Sequence, residues 1–380
     1  MKQSKQKLFF WQNTNSIHQA PFFRKLSEYS QIEVWLIVCE PLSRERILMG
    51  WQEPALNNTN VLKINKDFSW RKLIDNNKDN KCIHIFSGIG AFPSIHKAFK
   101  YACASSCRIA ILSESLDMRG VKGFLRNIRG YCHYYYYDKY IEFILAIGWE
   151  AKEQFKLWGY NQNKIVDWIY TMENSKIEDI TEVKEGTPFR IIYVGSLYTW
   201  KGYDLLIRAL DELADIDFIA DLYCVNDSNI EKADLIQNSI KQKNKIRLQA
   251  FLKNDKVRKQ MSESDLLILP SRYDGWGAVV SEALMEGTPV MVGYNCGSAI
   301  LLQNNEMLGN IIEPLTDNEI KKELEKKIIE GKISMEKRLS LKKWAEKHIS
   351  AEIVVEYFRD ILVYIDNKES EKPNAPWIKK

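Results

Sequence analysis

The stretch "DLLILPSRYDGWGAVVSEALMEGTPVMVG" (265–293) reads as strand, loop, helix and strand. "DLLILP" is a short apolar run ended by Pro270, and "PVMVG" (289–293) is another. The helix runs from about Gly277 to Glu286 and is closed by Gly287 and Pro289, a usual stop. Buried strands joined by a crossover helix belong to a parallel sheet. Asp274 lies in the loop, and Glu282 follows eight positions later inside the helix. Gly275 and Gly277 flank Trp276 and admit backbone angles that other residues resist. Amides of the helix's first turn, near Gly277, Ala278 and Val279, have no partner within it and make an anion site. Either acid alone would pass as a turn or helix-surface residue. Both together, with two glycines at a strand end, point to a ligand at the carboxyl edge of a sheet.

The same alternation extends through the chain. Apolar runs at 7–12, 32–38, 82–86, 108–112 and 143–147 in the first half, and at 189–195, 218–225, 245–251, 265–270 and 289–293 in the second, are separated by longer amphipathic stretches. Two such blocks in 380 residues predict an α/β protein of two doubly wound, Rossmann-like domains facing a cleft. The expected division is an N-terminal domain over 1–170, a polar linker over 171–187 and a C-terminal domain over 188–350. An amphipathic helix at 351–365 opens a tail (351–380) expected to pack back on the first domain.

Composition narrows the class. Hydrophobic residues make up 45% and charged residues 27%, as in a soluble globular protein. The longest apolar runs, such as "FILAIGW" (143–149), are too short to span a membrane. The N-terminal "MKQSKQKLFFWQ" reads as the lead into a strand, its apolar run being too short for a signal peptide. Seven cysteines without a CxxC pair suit a reducing cytoplasm. Cys103 and Cys107 would share a helical face, but nothing nearby completes a metal site. "DID" (215–217) precedes a strand rather than ending one, so no metal is implied. Residues 1–170 hold 24 Lys and Arg against 15 Asp and Glu, a net of +9; residues 171–380 hold 30 against 35, a net of −5. A basic first half suggests an anionic surface or substrate, or a chance excess of solvated lysines. No nucleic-acid motif accompanies it.

A second junction, "VGSLYTWKGYDLLIRAL" (194–210), ends a strand at Gly195 and opens a helix at Gly202, with Ser196 and Lys201 between them. A lysine at a helix start beside a strand end suits phosphate; taken alone, the junction is equally an ordinary turn.

Together the two stretches resemble the donor-binding motifs of retaining family 4 glycosyltransferases of GT-B fold. That pattern is a strand, "PS", an acid, "GxG", small residues, a second acid, then "A…GxPV". Pro270, Ser271, Asp274, Gly275, Gly277, Glu282, Ala283, Gly287, Pro289 and Val290 supply it here. The "G…KG" of 195–202 is similar to the family's other donor motif, and the resemblance covers about 170–365. It implies a nucleotide-sugar donor, no metal or other cofactor, and transfer with retention, the leaving phosphate helping to deprotonate the acceptor. Glu282 would bind the ribose hydroxyls, the amides of Gly277, Ala278 and Val279 the diphosphate or sugar, and Asp274 the transferred sugar. Lys201 would neutralise the diphosphate as it leaves, with Gly195, Ser196 and Gly275 completing the donor contacts. The sequence departs from the pattern at Ser196, where the family has Arg, at Cys224–Asn226, where a Gly-x-Gly is frequent, and at Ala250, where glycine is common.

In the first half the match is loose. Glu114, after the strand "RIAIL", falls where relatives carry a His, and is read as a sugar or acceptor ligand or as a loop acid. His18, after the first strand, is read as an acceptor contact or a plain loop residue. In "RGVKGFLRNIRG" (119–130), Arg119, Lys122, Arg126 and Arg129 share one helical face, opposite Val121, Phe124, Leu125 and Ile128. Such a helix docks on an anionic membrane or lipid diphosphate, or packs its apolar face on the core. The following "YCHYYYYDKY" lines an acceptor groove or packs internally. The function expected is glycosyl transfer to a saccharide or lipid-linked acceptor in surface-polysaccharide assembly, at the inner face of the cytoplasmic membrane. A nucleotide-sugar epimerase and a non-catalytic sugar-nucleotide scaffold are the alternatives.

Overall fold

The computed structural model of the chain describes residues 5–48, 51–64, 69–175, 186–367 and 370–378. Residues 176–185, the middle of the expected linker, lie outside them. The chain divides into two compact units: Met1–Ser43, Gln52–Thr171 and Ala351–Pro376 form the first, and Arg44–Trp51, Met172–Ser350 and Trp377–Lys380 the second.

In the first unit β1 (Gln6–Gln12), β2 (Ile32–Val38), β3 (Asn60–Lys63), β4 (Cys82–Ser87), β5 (Arg108–Glu114), β6 (Ile141–Ile147) and β7 (Ile165–Trp168) make one sheet, ordered β3-β2-β1-β4-β5-β6-β7. Every neighbouring pair is parallel. The second unit orders β8 (Phe189–Val194), β9 (Phe218–Val225), β10 (Ile246–Ala250), β11 (Leu266–Leu269), β12 (Val290–Gly293) and β13 (Gly309–Ile312) as β10-β9-β8-β11-β12-β13, again parallel throughout. The strand order reverses at β1/β4 and at β8/β11, and ligands enter doubly wound sheets at the carboxyl ends of such points.

A strand covered on both faces reads as continuous apolar sequence. β1 shows why: Phe10 packs on Phe23 and Phe358 at ring distances of 5.0 and 6.2 Å, while Trp11 stacks on Phe86 at 5.5 Å. Phe358 lies on the helix Ala351–Asp366, which covers β1 together with the helix Ala20–Leu26. Ten strands match apolar runs of the sequence. The three others, β3, β7 and β13, are all edge strands, four residues long, with polar or half-exposed positions.

Two expectations are corrected. The helix Pro93–Ala104 stops before Cys107, so Cys103 and Cys107 do not share a helical face; burial pushes both thiols up, to about 12 and about 11. The basic helix runs over Gly120–Tyr137, taking in the tyrosine run; its apolar face does not pack on the core, the second of the two readings, and only part of its basic face is free of protein partners among the described residues. Val121, Phe124, Leu125 and Ile128 are exposed. The covered face is built from Gly123, Asn127, Gly130 and Tyr134. A Cβ at Gly123 would lie 1.9 Å from the Met118 carbonyl oxygen, and one at Gly130 2.1 Å from the Trp158 ring. Asn127 accepts from Trp158 Nε1 at 2.7 Å, and Tyr134 packs edge-on against Tyr160. Of the four basic residues, Arg119 pairs with Asp117 at 2.8 Å and half-buried Arg126 donates to the Asp117 carbonyl at 2.6 Å. Lys122 and Arg129 are exposed.

Candidate functional site

The second unit gathers its chemistry at the carboxyl ends of β8 and β11. Two tight loops meet there. Gly202 caps the helix Tyr203–Asp211 at φ +74, and a Cβ on it would stand 1.8 Å from the Pro270 carbonyl oxygen. Glycine is therefore required twice over, by dihedral and by contact. Trp200's carbonyl accepts from Arg272 N at 2.7 Å, which ties the same two loops again. Across this junction Lys201 Nζ lies 2.6 Å from Asp274 Oδ2. The lysine and the acid, read separately in the sequence, form one ion pair. Gly195 admits the Tyr193 hydroxyl, which would stand 2.8 Å from an added Cβ; Ser196 is buried and its carbonyl accepts from that hydroxyl at 3.2 Å.

The helix Ala278–Met285 begins at Gly277, which has φ +81 and no side-chain cap. The first-turn amides at half-buried Ala278 and Val279 are left to other partners. The loop before it is laced to the segment after β12: Asp274 N donates to Asn295 O at 3.1 Å, Gly297 N to Asp274 O at 3.0 Å, and Ser298 N to Trp276 O at 2.8 Å. Gly275 takes part by contact, its carbonyl oxygen standing 2.1 Å from where a Cβ on Gly297 would be. Trp276 is 1% exposed and donates from its indole to Ser281 at 3.2 Å, so it is a core residue that anchors the loop.

Glu282 is 5% exposed, which removes the surface-acid reading. Its Oε1 accepts from Asn254 Nδ2 at 2.8 Å. Burial raises its pKa, opposed by the Asn254 hydrogen bond and the Arg258 charge and assisted by Glu286. One helical turn further, buried Glu286 meets Arg258 at 2.5 Å and accepts from Ser175. Asn254 and Arg258 both come from the helix Asn254–Ser262, so two rungs join the helices on either side of β11. The sequence reading missed Asn254, Arg258 and Glu286. The i, i+4 spacing within each pair was the available signal, but matching two such pairs needs the packing of the helices.

In the first unit, Glu114 ends β5 and accepts from the Tyr170 hydroxyl, and His18 stacks over the Tyr170 ring at 6.1 Å. Tyr170 thus brings the two acceptor candidates together, and nothing in the sequence singled it out. Beside them Ser115 Oγ donates to Glu150 at 3.1 Å, and burial pushes the Glu150 carboxyl up to about 7. Among the described residues, no group of three or more His, Cys, Asp or Glu side chains gathers as metal ligands would.

Residues 175–348 match the model of the family described as glycosyl transferases group 1. Over 116 residues the chain is 29% identical to mannosylfructose-phosphate synthase of Agrobacterium fabrum, covering 28% of this chain and 26% of that protein. The chain spans between a quarter and two fifths of the length of the curated relatives it matches. Among solved structures, Anabaena Alr3699/HepE in complex with UDP aligns with a TM-score of 0.70 at 13% identity, covering 94% of this chain and 99% of that one. The lipopolysaccharide outer core galactosyltransferase WaaB aligns with a TM-score of 0.69 at 14% identity over the same shares. At such identities the likeness is one of fold: two Rossmann-like parallel-sheet units, as in GT-B structures.

Proposed function

We infer that this protein is a GT-B glycosyltransferase that moves a sugar from a nucleotide-sugar donor to a saccharide or lipid-linked acceptor, with retention. The observation that carries the reading is the buried carboxylate of Glu282, held by Asn254 in the helix that starts uncapped at Gly277, three residues after the Asp274 that pairs with Lys201. A ribose needs a fixed acceptor for two hydroxyls, and a diphosphate needs backbone donors and a cation. This arrangement offers both at one strand-order reversal. The match of 175–348 to glycosyl transferases group 1 and the UDP held by the HepE structure support the donor class.

In this reading Glu282 binds the ribose, and the amides from Gly277 to Val279 meet the diphosphate. Gly195, Ser196 and Gly275 let the donor approach the backbone. Lys201 exchanges Asp274 for the diphosphate, which frees the Asp274 carboxylate for the transferred sugar. Charge building on the leaving diphosphate is then met by a cation already in place. Ser196 offers no charge where the family pattern has Arg, so Lys201 carries that role, Arg272 of the same junction being paired with Asp204. In the first unit, Glu114 and His18 meet the acceptor, with Tyr170 orienting both. No metal takes part. Lys122 and Arg129, with Arg119 and Arg126 behind them, give contact with an anionic membrane, which suits surface-polysaccharide assembly at the inner face of the cytoplasmic membrane.

The test is a panel of UDP-, GDP- and other nucleotide sugars against wild type and Glu282→Ala. The matching donor at a hundred times its Kd should stabilise wild type by about 2.7 kcal/mol and leave Glu282→Ala unmoved, with transfer lost. Unchanged transfer by Glu282→Ala would sink the donor-site assignment. Binding by wild type without transfer to any acceptor would favour a non-catalytic scaffold.

A further inference from the structure

The helix Gly120–Tyr137 presents an apolar stripe that is exposed among the described residues. Val121, Phe124, Leu125, Ile128, Tyr131 and Tyr135 are 78, 64, 59, 47, 44 and 80% exposed. At 100° per residue they fall within one sector, running along more than three turns. A contiguous exposed patch of large side chains marks an interaction surface. The helix is nonetheless firmly seated, through Gly123, Asn127 and Gly130, so the stripe is not the ragged edge of a loose element. The sequence placed its cations opposite; in the fold, Lys122 and Arg129 flank the stripe on the exposed side, while Arg119 and Arg126 are tied to Asp117.

We propose that this helix lies in the plane of an anionic lipid bilayer, with Val121, Phe124, Leu125 and Ile128 inserted among the acyl chains, the tyrosines at headgroup level, and Lys122 and Arg129 on lipid phosphates. The proposal rests on the membrane part of the reading above and not on its donor chemistry. It goes further by assigning the binding to the apolar stripe, with the cations as a rim. The occupant follows from charge and composition. A helix with an apolar face edged by cations and aromatic rings matches the layers of a bilayer surface. A second copy of the chain would bring the same cations against these. Among the described residues no helix is long and apolar enough to cross a membrane, which fits an in-plane attachment.

The experiment is co-sedimentation of the full chain with vesicles of phosphatidylcholine containing phosphatidylglycerol, and with phosphatidylcholine alone. Wild type should bind the anionic vesicles. Phe124→Ser with Leu125→Ser should lower the partition at least tenfold. Lys122→Ser and Arg129→Ser should each lower it about fivefold on anionic vesicles only. All these side chains are exposed, so folding should survive, and nucleotide-sugar stabilisation of the Phe124→Ser, Leu125→Ser protein should equal that of wild type. Cys132 is exposed on the same stripe, and an environment-sensitive dye on it should shift to the blue when vesicles are added. Absence of wild-type binding, equal binding by Phe124→Ser with Leu125→Ser, or vesicle binding without the shift would each overturn the proposal. So would self-association through this helix in place of vesicle binding. Failure of the donor reading would show separately, as no nucleotide-sugar response from the same wild-type sample.

Discussion

Two helices of the first unit carry apolar stripes and use them in opposite ways. Ala351–Asp366 turns Val354, Val355, Phe358, Ile361 and Leu362 inward, where Phe358 meets Phe10, Phe22 and Trp168. Gly120–Tyr137 turns its stripe outward and seats itself on glycines. Their sequences look alike in amphipathicity. The difference is in the neighbours. One helix meets a sheet face lined with phenylalanines; the other meets a tryptophan edge that only a residue without a Cβ can approach. A periodic stripe says that a helix has two faces, and the surroundings decide which is covered.

The contrast can be broken at both ends. Phe358→Ala should have the largest effect, lowering stability by about 3–5 kcal/mol, read as a shift in the denaturant midpoint. Gly130→Val should come next, at about 1–3 kcal/mol, because its side chain must enter the Trp158 ring; hydrogen exchange of the Gly120–Tyr137 amides should rise with it. A smaller effect concerns His133, on the same helix. Burial, with the Arg129 and His96 charges, holds its pKa down to about 4. A histidine kept neutral in the fold binds fewer protons than in the unfolded chain, so its contribution is full above about 6.5 and declines as pH falls toward 4. The protection factors of this helix's amides, which correct for the intrinsic slowing of exchange in acid, should therefore fall from pH 7 to pH 5, and His133→Gln should flatten that dependence. Smallest of all, Phe124→Ser should change stability by less than about 0.5 kcal/mol. A Phe124→Ser loss comparable with that of Phe358→Ala would mean that the stripe is covered in solution, and the contrast would fall.

The two strand-end regions differ in legibility as well. In the second unit, Lys201, Asp274, Gly277 and Glu282 stand out because each sits in a strand-to-helix junction or in the helix that follows it. Their pairing was hidden: Lys201 and Asp274 are 73 residues apart, and Asn254 reaches Glu282 across two packed helices. Trp276, to which the sequence assigned no role, is core. In the first unit, His18 and Glu114 were visible as isolated polar residues after strands, but the residue that joins them, Tyr170, follows β7, an edge strand with too little apolar sequence to be noticed.

The sequence by itself determined the α/β class, the two blocks, ten of the thirteen strands among the described residues and the loops that carry the candidate site. Those are local properties: apolar runs, glycines and helix stops act over a few residues. Tertiary structure decided the short edge strands β3, β7 and β13, the ion pair that closes the β8/β11 junction, the Asn254 support of Glu282 and the outward turn of the Gly120–Tyr137 stripe. Each of these depends on which distant segment arrives at a given surface, and local periodicity does not hold that information.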